Sequence, residues 1–377
     1  LFERLGVTPV VNARGIYTDL GGSRLSPRVW AAMEEANRTF VDMPELLAKS
    51  GDHIARLIGA EAAIVTPGVS AGLVLAAAAC MTRDNPDKLD QLPDTDGLPS
   101  RILIQHNHCY KWDRMVRLSG AKFVQVGDTS GTTAEAIEAA IDTSVAAIFF
   151  PAYLDSEAGT VPLAEVAEIA RRHAVPVILD AAFHNFPTPR FGEMLAAGGD
   201  LTLFSAKYFG GPNAGGIVAG RRDLIDGVAA HDFTRVGTRE IVSLGRGFKL
   251  DRQLVAGVVA ALEEWLEMDH EARFEGYERH VQTLCRVLGD VPNIELTPMF
   301  FTMEETLEPQ PINCLHIRVG ADAGTTAERV VERLDQGNPA VVTHLRGDAL
   351  VVDFEVVDDD DVSLIGRRLR EELLAGE

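Results

Sequence analysis

The segment Leu201–Gly216, LTLFSAKYFGGPNAGG, decides the architecture. An apolar run, Leu201–Phe204, ends at Ser205. A single lysine, Lys207, follows, and a glycine-rich turn leads into a second apolar run, Ile217–Ala219. A lysine at the end of a buried strand is costly as a cation, because desolvation favours the neutral amine. An amine held that way is a nucleophile toward aldehydes. The plainer reading is a strand-end lysine reaching into water, and on this stretch alone it is the better one. The surrounding sequence shifts the balance.

Upstream, apolar runs alternate with helical patterns. Arg101–Gln105, Lys122–Val126, Val145–Phe150 and Val177–Asp180 read as strands, with helices expected over Lys111–Ser119, Thr133–Ile141 and Leu163–His173. Near-continuous apolar strands belong to a parallel sheet covered on both faces. Their alternation with helices predicts an α/β fold with a large, doubly wound, mostly parallel sheet. Ligands of such sheets sit beyond the carboxyl ends of the strands. Earlier still come a strand at Ala62–Thr66, a Pro67-Gly68 turn and a small-residue helix from Ser70. Downstream, a polar stretch, His231–Lys249, precedes a long helix from Asp251 to about His270. A smaller α+β C-terminal domain then reads as strand Asn313–Val319, helix Thr325–Asp335, strands Ala340–His344 and Ala349–Phe354, and a last helix Asp359–Leu374. The expected divisions are 1–28, a turn-rich segment lying on the large domain; 29–250, the large domain; and 251–377, the linking helix and small domain.

Composition narrows the function. A chain of 377 residues with 46% hydrophobic and 24% charged residues suits one large globular domain with a smaller one. No apolar run approaches the roughly 18 residues that span a bilayer, and no signal peptide is visible. A net charge of −21 repels phosphate backbones, so no nucleic-acid partner is expected. Cys80, Cys109, Cys285 and Cys314 are scattered without metal-ligand or redox spacing, which predicts no metal and suits a reducing cytoplasm.

Four strand-end groups then belong together. Gly68, Val69 and Ser70 open a helix whose free N–H groups and dipole suit a phosphate. His108, with His106 close by, follows a strand and offers an imidazole that can stack on a flat ring. Asp180 ends VPVILD, where a buried carboxylate needs a positive or hydrogen-bonding partner, and Ala182 leaves room for a ring. Ser205 and Lys207 complete the set. Each has a plain structural alternative: a turn, a loop histidine, a helix cap, an exposed lysine. Their order along one α/β chain describes pyridoxal 5'-phosphate: helix N-terminus for phosphate, carboxylate for pyridinium, amine for aldehyde.

The chain resembles the fold-type-I pyridoxal-phosphate enzymes, within them the group around selenocysteine synthase (L-seryl-tRNA selenium transferase), which includes D-glucosaminate-6-phosphate ammonia-lyases. The resemblance is carried by VNARGIYTDLGGSRLS (11–26), GAEAAIVTPGVSAGLVLAAAAC (59–80), HCYKWDRMVRLSGAKFVQVG (108–127), VILDAAFHNFP (177–187), FSAKYFGGPNAGGIVAG (204–220) and GRGFKLDRQLVAGVVAALE (245–263). It implies a Schiff-base lysine at Lys207, a pyridine-nitrogen partner at Asp180 and ring stacking by His108. It further implies phosphate contacts from Gly68, Val69, Ser70 and Ser205, with His184 near the ring. A homodimer with its active site at the interface is implied too. Two departures stand out. Ser205-Ala206-Lys207 is one residue shorter than the serine-glycine-x-lysine of many relatives, and VVDFEVV (351–357) carries Glu355 in a strand where relatives tend to have arginine. The chain shows neither the RNA-binding part nor the basic surface of the tRNA-dependent transferases.

The implied reaction is α,β-elimination on a small-molecule amine, an amino acid or amino-sugar acid, through an external aldimine and a Cα carbanion, with Lys207 as base. Retro-aldol cleavage, racemisation, transamination and decarboxylation use the same lysine and aspartate. Arg14, Tyr17, Arg24, His106 and Arg346 are the candidate substrate contacts. A catalytically silent binding protein is the alternative outside enzymes.

Overall fold

The computed structural model describes residues 1–83, 85, 88–235, 243–300 and 310–375. Its strands are β1 (Val10–Asn12), β2 (Ala62–Thr66), β3 (Arg101–Gln105), β4 (Lys122–Val126), β5 (Val145–Pro151), β6 (Val177–Asp180) and β7 (Leu201–Ser205). β8 (Gly216–Gly220), β9 (Ile294–Met299), β10 (Cys314–Val319), β11 (Ala340–Val342), β12 (His344–Arg346) and β13 (Ala349–Asp353) follow. They fall into two compact units, Leu25–Glu267 and a second formed by Leu1–Arg24 with Met268–Glu377.

The larger unit holds a seven-stranded sheet in the order β2-β8-β7-β6-β5-β3-β4, in which only β8 runs against the rest. The apolar runs fixed these strands because both faces are covered: every residue of β5, β6 and β7 is buried. The helix Gly68–Thr82 lies on one face and is apolar all round, with Ala71–Thr82 wholly buried. Its small residues permit close approach. A Cβ at Gly72 would stand 2.8 Å from Leu203 Cδ2 and 3.0 Å from Val218 Cγ2. With only β8 reversed, the carboxyl ends of β2, β3, β5, β6 and β7 lie at one edge.

The smaller unit holds a four-stranded antiparallel sheet, β12-β13-β10-β9, and a parallel pair, β1 with β11. That pair joins residues 1–24 to the C-terminal part, so the unit boundaries fall at 24/25 and 267/268 where the sequence suggested 28/29 and 250/251. The expected long helix ends at Glu267, within the larger unit. A second helix, His270–Leu288, starts at once because Asp269 caps it, its Oδ1 accepting the Ala272 N–H at 3.0 Å. Neither this helix nor β9 was expected. β9 buries no residue fully, so it lacks the apolar run that marks the others. The expected strand 340–344 is two strands that pair with different partners. At the last helix the acidic run is met by side chains from elsewhere in the unit rather than by a side-chain cap: Arg24 forms ion pairs with Asp358 and Asp361, and His280 Nε2 lies within hydrogen-bond distance, 2.6 Å, of Asp359.

All four cysteines are free. Burial pushes the Cys80 and Cys314 thiols up to about 12, so neither is a thiolate at neutral pH. A maleimide reagent is expected to label the half-buried Cys109 and Cys285 in the native protein. Cys80 and Cys314 should react only after denaturation, and labelling of either in the native protein would overturn this.

Candidate active site

The edge of the large sheet gathers most of the residues singled out in the sequence. Register places Thr66, Gly216 and Ser205 side by side on β2, β8 and β7, and Pro151, Asp180 and Leu203 side by side on β5, β6 and β7. Gly68, in the left-handed region at φ +81°, turns the chain from β2 into its helix, whose first residue follows Pro67 without a side-chain cap. The N–H groups there are thus uncapped, and Ser70 is exposed. Gly216 passes close beneath: a Cβ on it would stand 2.7 Å from the Gly68 carbonyl carbon and 2.9 Å from the Val69 nitrogen. Lys207 lies in a short 3-10 turn, Ala206–Phe209, immediately after β7, and is half-buried.

Asp180 is 7% exposed. Its Oδ1 accepts the Ala182 N–H at 3.2 Å and its Oδ2 accepts the Tyr110 hydroxyl. Burial pushes its carboxyl above the ordinary range, opposed by Tyr110, the Ala182 N–H and His184. Burial, followed by the Asp180 charge, pushes the Tyr110 phenol far up, so it stays a donor. Ala182 is partly open, while His184 is buried with its ring stacked on Phe183 at 4.7 Å. The loop after β6 is tied down by the Trp265 indole N–H, which donates to the Asn185 carbonyl at 2.9 Å.

His108 does not take the expected place. It is 0% exposed, its ring meets Phe150 edge to face at 4.6 Å, and its Nε2 donates to the Leu154 carbonyl at 3.0 Å. Burial pushes its imidazole below the usual range. In this structure the His108 ring packs against Phe150 rather than standing open at the sheet edge. Aromatic side chains that the sequence did not single out occupy the region instead. Tyr110 and Tyr153 meet at 5.7 Å, Tyr153 and Phe183 at 5.9 Å, Phe183 and Tyr208 at 6.0 Å, and Lys207 Nζ lies 4.7 Å from the Tyr208 ring centre. Four rings therefore run from the carboxylate to the amine. Tyr110 stands two residues beyond His108, the one signal that pointed near it.

His106 is half-buried, and its charge helps to hold the Asp128 carboxyl below its ordinary range, after the Ser130 hydrogen bonds. Arg14, Tyr17 and Arg346 belong to the smaller unit. There the Arg14 guanidinium lies 4.3 Å over the Tyr17 ring, Tyr17 meets His344 at 4.9 Å, and a cavity of about 290 Å³ is lined by Tyr17, His344, Leu345, Arg346 and Val351. Glu355 is half-buried in this unit, two residues beyond the buried Asp353; burial and the Glu355 charge raise the Asp353 carboxyl well above its ordinary value. Among the described residues no group of three or more His, Cys, Asp or Glu side chains is placed to hold a metal, and no helix is long and apolar enough to cross a membrane.

The donor set fits pyridoxal phosphate: a buried carboxylate for the ring nitrogen, an amine for the aldehyde, and uncapped N–H groups over a glycine for the phosphate. Over 98% of its length the chain is 26% identical to the D-glucosaminate-6-phosphate ammonia lyase of Salmonella typhimurium, covering 97% of that enzyme. Over 99% it is 28% identical to a 5'-C-glycyluridine monooxygenase-decarboxylase of a Streptomyces species, covering 92%. A solved structure of D-glucosaminate-6-phosphate ammonia-lyase superposes with a TM-score of 0.86 at 24% identity, over 100% of this chain and 98% of that one, which fixes the fold as that of the fold-type-I pyridoxal-phosphate enzymes. The L-seryl-tRNA selenium transferase (SelA) model matches residues 10–274, and the chain belongs to that family of pyridoxal-phosphate enzymes.

Proposed function

We propose that Lys207, Asp180 and the N-terminus of the helix Gly68–Thr82 form the cofactor site of a lyase that releases ammonia from a small amino acid bearing a leaving group at Cβ. The observation that carries it is the meeting, at one sheet edge, of a buried carboxylate on β6, an amine after β7 and an uncapped helix end after β2. Pyridoxal phosphate, when bound, supplies an aldehyde for the substrate amine and a ring that delocalises the Cα electron pair. Asp180 would face the ring nitrogen and keep a proton on it. Gly68, Val69, Ser70 and Ser205 would hold the phosphate, Ala182 and His184 would lie along the ring, and Lys207 would hold the aldehyde. With substrate bound in its place, the Lys207 amine would take the Cα proton, and loss of the Cβ substituent followed by hydrolysis would give a 2-oxo acid and ammonia. Arg14, Tyr17 and Arg346 are proposed for anionic groups of the substrate.

The ammonia-lyase relative, matched almost end to end, supports elimination. A second reading, oxidative decarboxylation of a ring-bearing amino acid, is favoured by the rings of Tyr153, Phe183 and Tyr208 and by the glycyluridine-directed relative. The purified protein with pyridoxal phosphate should be screened against D- and L-β-hydroxy, diamino and amino-sugar acids, with and without oxygen. Ammonia and a 2-oxo acid formed without oxygen support elimination; carbon dioxide formed only with oxygen supports the second reading; aldehyde release would point to retro-aldol cleavage. Failure to take up the cofactor would sink both.

Net charge of −21 opposes a tRNA substrate, and four free cysteines suit a cytoplasmic protein. We propose a homodimer with its active site at the interface. Trp30, Phe40 and Val41 expose apolar surface of the kind a subunit contact covers, and a light-scattering mass of one chain would refute it. Gly216→Ala tests the phosphate cradle. Its Cβ must push the Gly68 turn aside, and overpacking of this kind costs about 1–3 kcal/mol. Cofactor affinity measured by equilibrium dialysis should fall about tenfold; unchanged affinity would place the phosphate elsewhere.

A further inference from the structure

Tyr110 reaches Asp180 from two strands away. β5 lies between β3 and β6 in the sheet, and Tyr110, in the loop after β3, crosses the end of β5 with its ring stacked on Phe149 at 6.0 Å and 17°. Tyr153 also meets the Tyr110 ring, edge to face at 5.7 Å. The ring is thus clamped, and its hydroxyl donates to Asp180 Oδ2 while the Ala182 N–H serves Oδ1. We propose that Tyr110 is a positioning residue for Asp180, its hydroxyl holding the carboxylate in one orientation and in the ionised form that leaves the proton on the cofactor's ring nitrogen. This rests on the reading that Asp180 faces that nitrogen.

The physical case is a competition for one proton. A carboxylate and a ring nitrogen that share a proton divide it by relative basicity, and burial makes the carboxylate more basic. A hydrogen bond donated to the charged form opposes this. The other polar groups acting on Asp180 are the Ala182 N–H and His184 from the loop after β6, and the phenol of Tyr153 from the turn after β5. Among these side chains it is Tyr110 whose hydroxyl donates to the carboxylate in the structure, and removal of that one oxygen deletes the bond. Without its hydroxyl the carboxylate draws the proton from the ring, and the ring accepts Cα electrons less well.

Tyr110→Phe keeps the clamped ring and deletes the donor. In holoenzyme carrying pyridoxal phosphate labelled with nitrogen-15 in the ring, the signal is expected to move from the protonated toward the unprotonated position. kcat should fall about tenfold, the loss of one hydrogen bond to a charged group, with KM little changed. In the cofactor-free protein, the carbon-13 carboxyl signal of Asp180 should titrate at higher pH than in wild type. Asp180→Asn is the control. If its nitrogen signal moves and that of Tyr110→Phe stays at the wild-type position, Tyr110 only packs and the proposal is wrong. If neither moves, Asp180 does not face the ring nitrogen and the proposal falls with that reading. An unmoved carboxyl titration in the cofactor-free variant also overturns it.

Discussion

Turnover by Lys207→Ala falls at least about a thousandfold if this amine takes the Cα proton, the range that loss of a positioned general base produces. The fold should not notice. The turn that carries Lys207 is held by its backbone: the Ala206 N–H donates to Gly215 at 3.0 Å and the Gly211 N–H to Ala206 at 2.8 Å, with Gly210 in the left-handed region at φ +77°. Removing the side chain gives up, among its contacts, that with the Tyr208 ring, which at a half-exposed site contributes about 0.5–1 kcal/mol. The stability change should stay within the roughly 0.5–3 kcal/mol usual for a single substitution. Borohydride reduction of the wild-type holoenzyme, followed by peptide mapping, should fix the cofactor to Lys207, and the variant should carry no fixed cofactor. Added small primary amines should restore part of the lost rate, because the missing function is a free base. A variant that keeps its activity, or a label on another lysine, removes Lys207 from the chemistry.

The inner strands were legible because they are buried on both faces and so are written as apolar runs; β3 and β6 fall at the expected residues, and the edge strand β4 does too although only its Val126 is buried. Asp180 and Lys207 were legible for a related reason. A charge that interrupts or ends such a run must be accounted for, and its place at the strand end puts it where ligands bind. What failed to show in the sequence depends on side chains meeting across strands. His108 and Tyr110 lie two residues apart in one loop, yet the first turns into the core against Phe150 and the second crosses β5 to reach Asp180. Spacing along the chain does not distinguish those outcomes. Tyr153, Phe183 and Tyr208 follow three different strands, so only the assembled sheet edge brings them together. The grouping of residues 1–24 with the C-terminal part likewise rests on contacts between segments over 300 residues apart in the chain, the pairing of β1 with β11 and the Tyr17–His344 and Arg24–Asp358 contacts among them.

Asp180→Asn is expected to move stability and turnover in opposite directions. Burial holds the carboxyl of the folded protein above its unfolded value, so the folded state binds the proton more readily than the unfolded one. The stability this group contributes is then complete below the unfolded value of about 3.9 and is lost as pH rises through the folded value. At pH 7.5 the cofactor-free wild type therefore carries a buried charge that asparagine lacks. The amide can replace the hydrogen bonds, its oxygen accepting the Ala182 N–H and its NH2 donating to the Tyr110 oxygen. The cofactor-free variant should melt higher than wild type at pH 7.5, and the difference should shrink as pH is lowered toward 4. Asp353 and Glu355, also raised by burial, give wild type and variant the same further slope and cancel from the comparison. Turnover should fall at least about a hundredfold, since a neutral amide cannot stabilise the charge that the ring nitrogen bears in the transition state. Pyridoxal phosphate should also raise the variant's melting temperature less than it raises that of wild type, because part of its affinity for the folded state has gone. A variant that melts lower at pH 7.5 and turns over within threefold of wild type would show that Asp180 is a structural acid. The predicted pattern, a gain in stability bought by a loss of function, is what a charge retained for catalysis in a buried place should give.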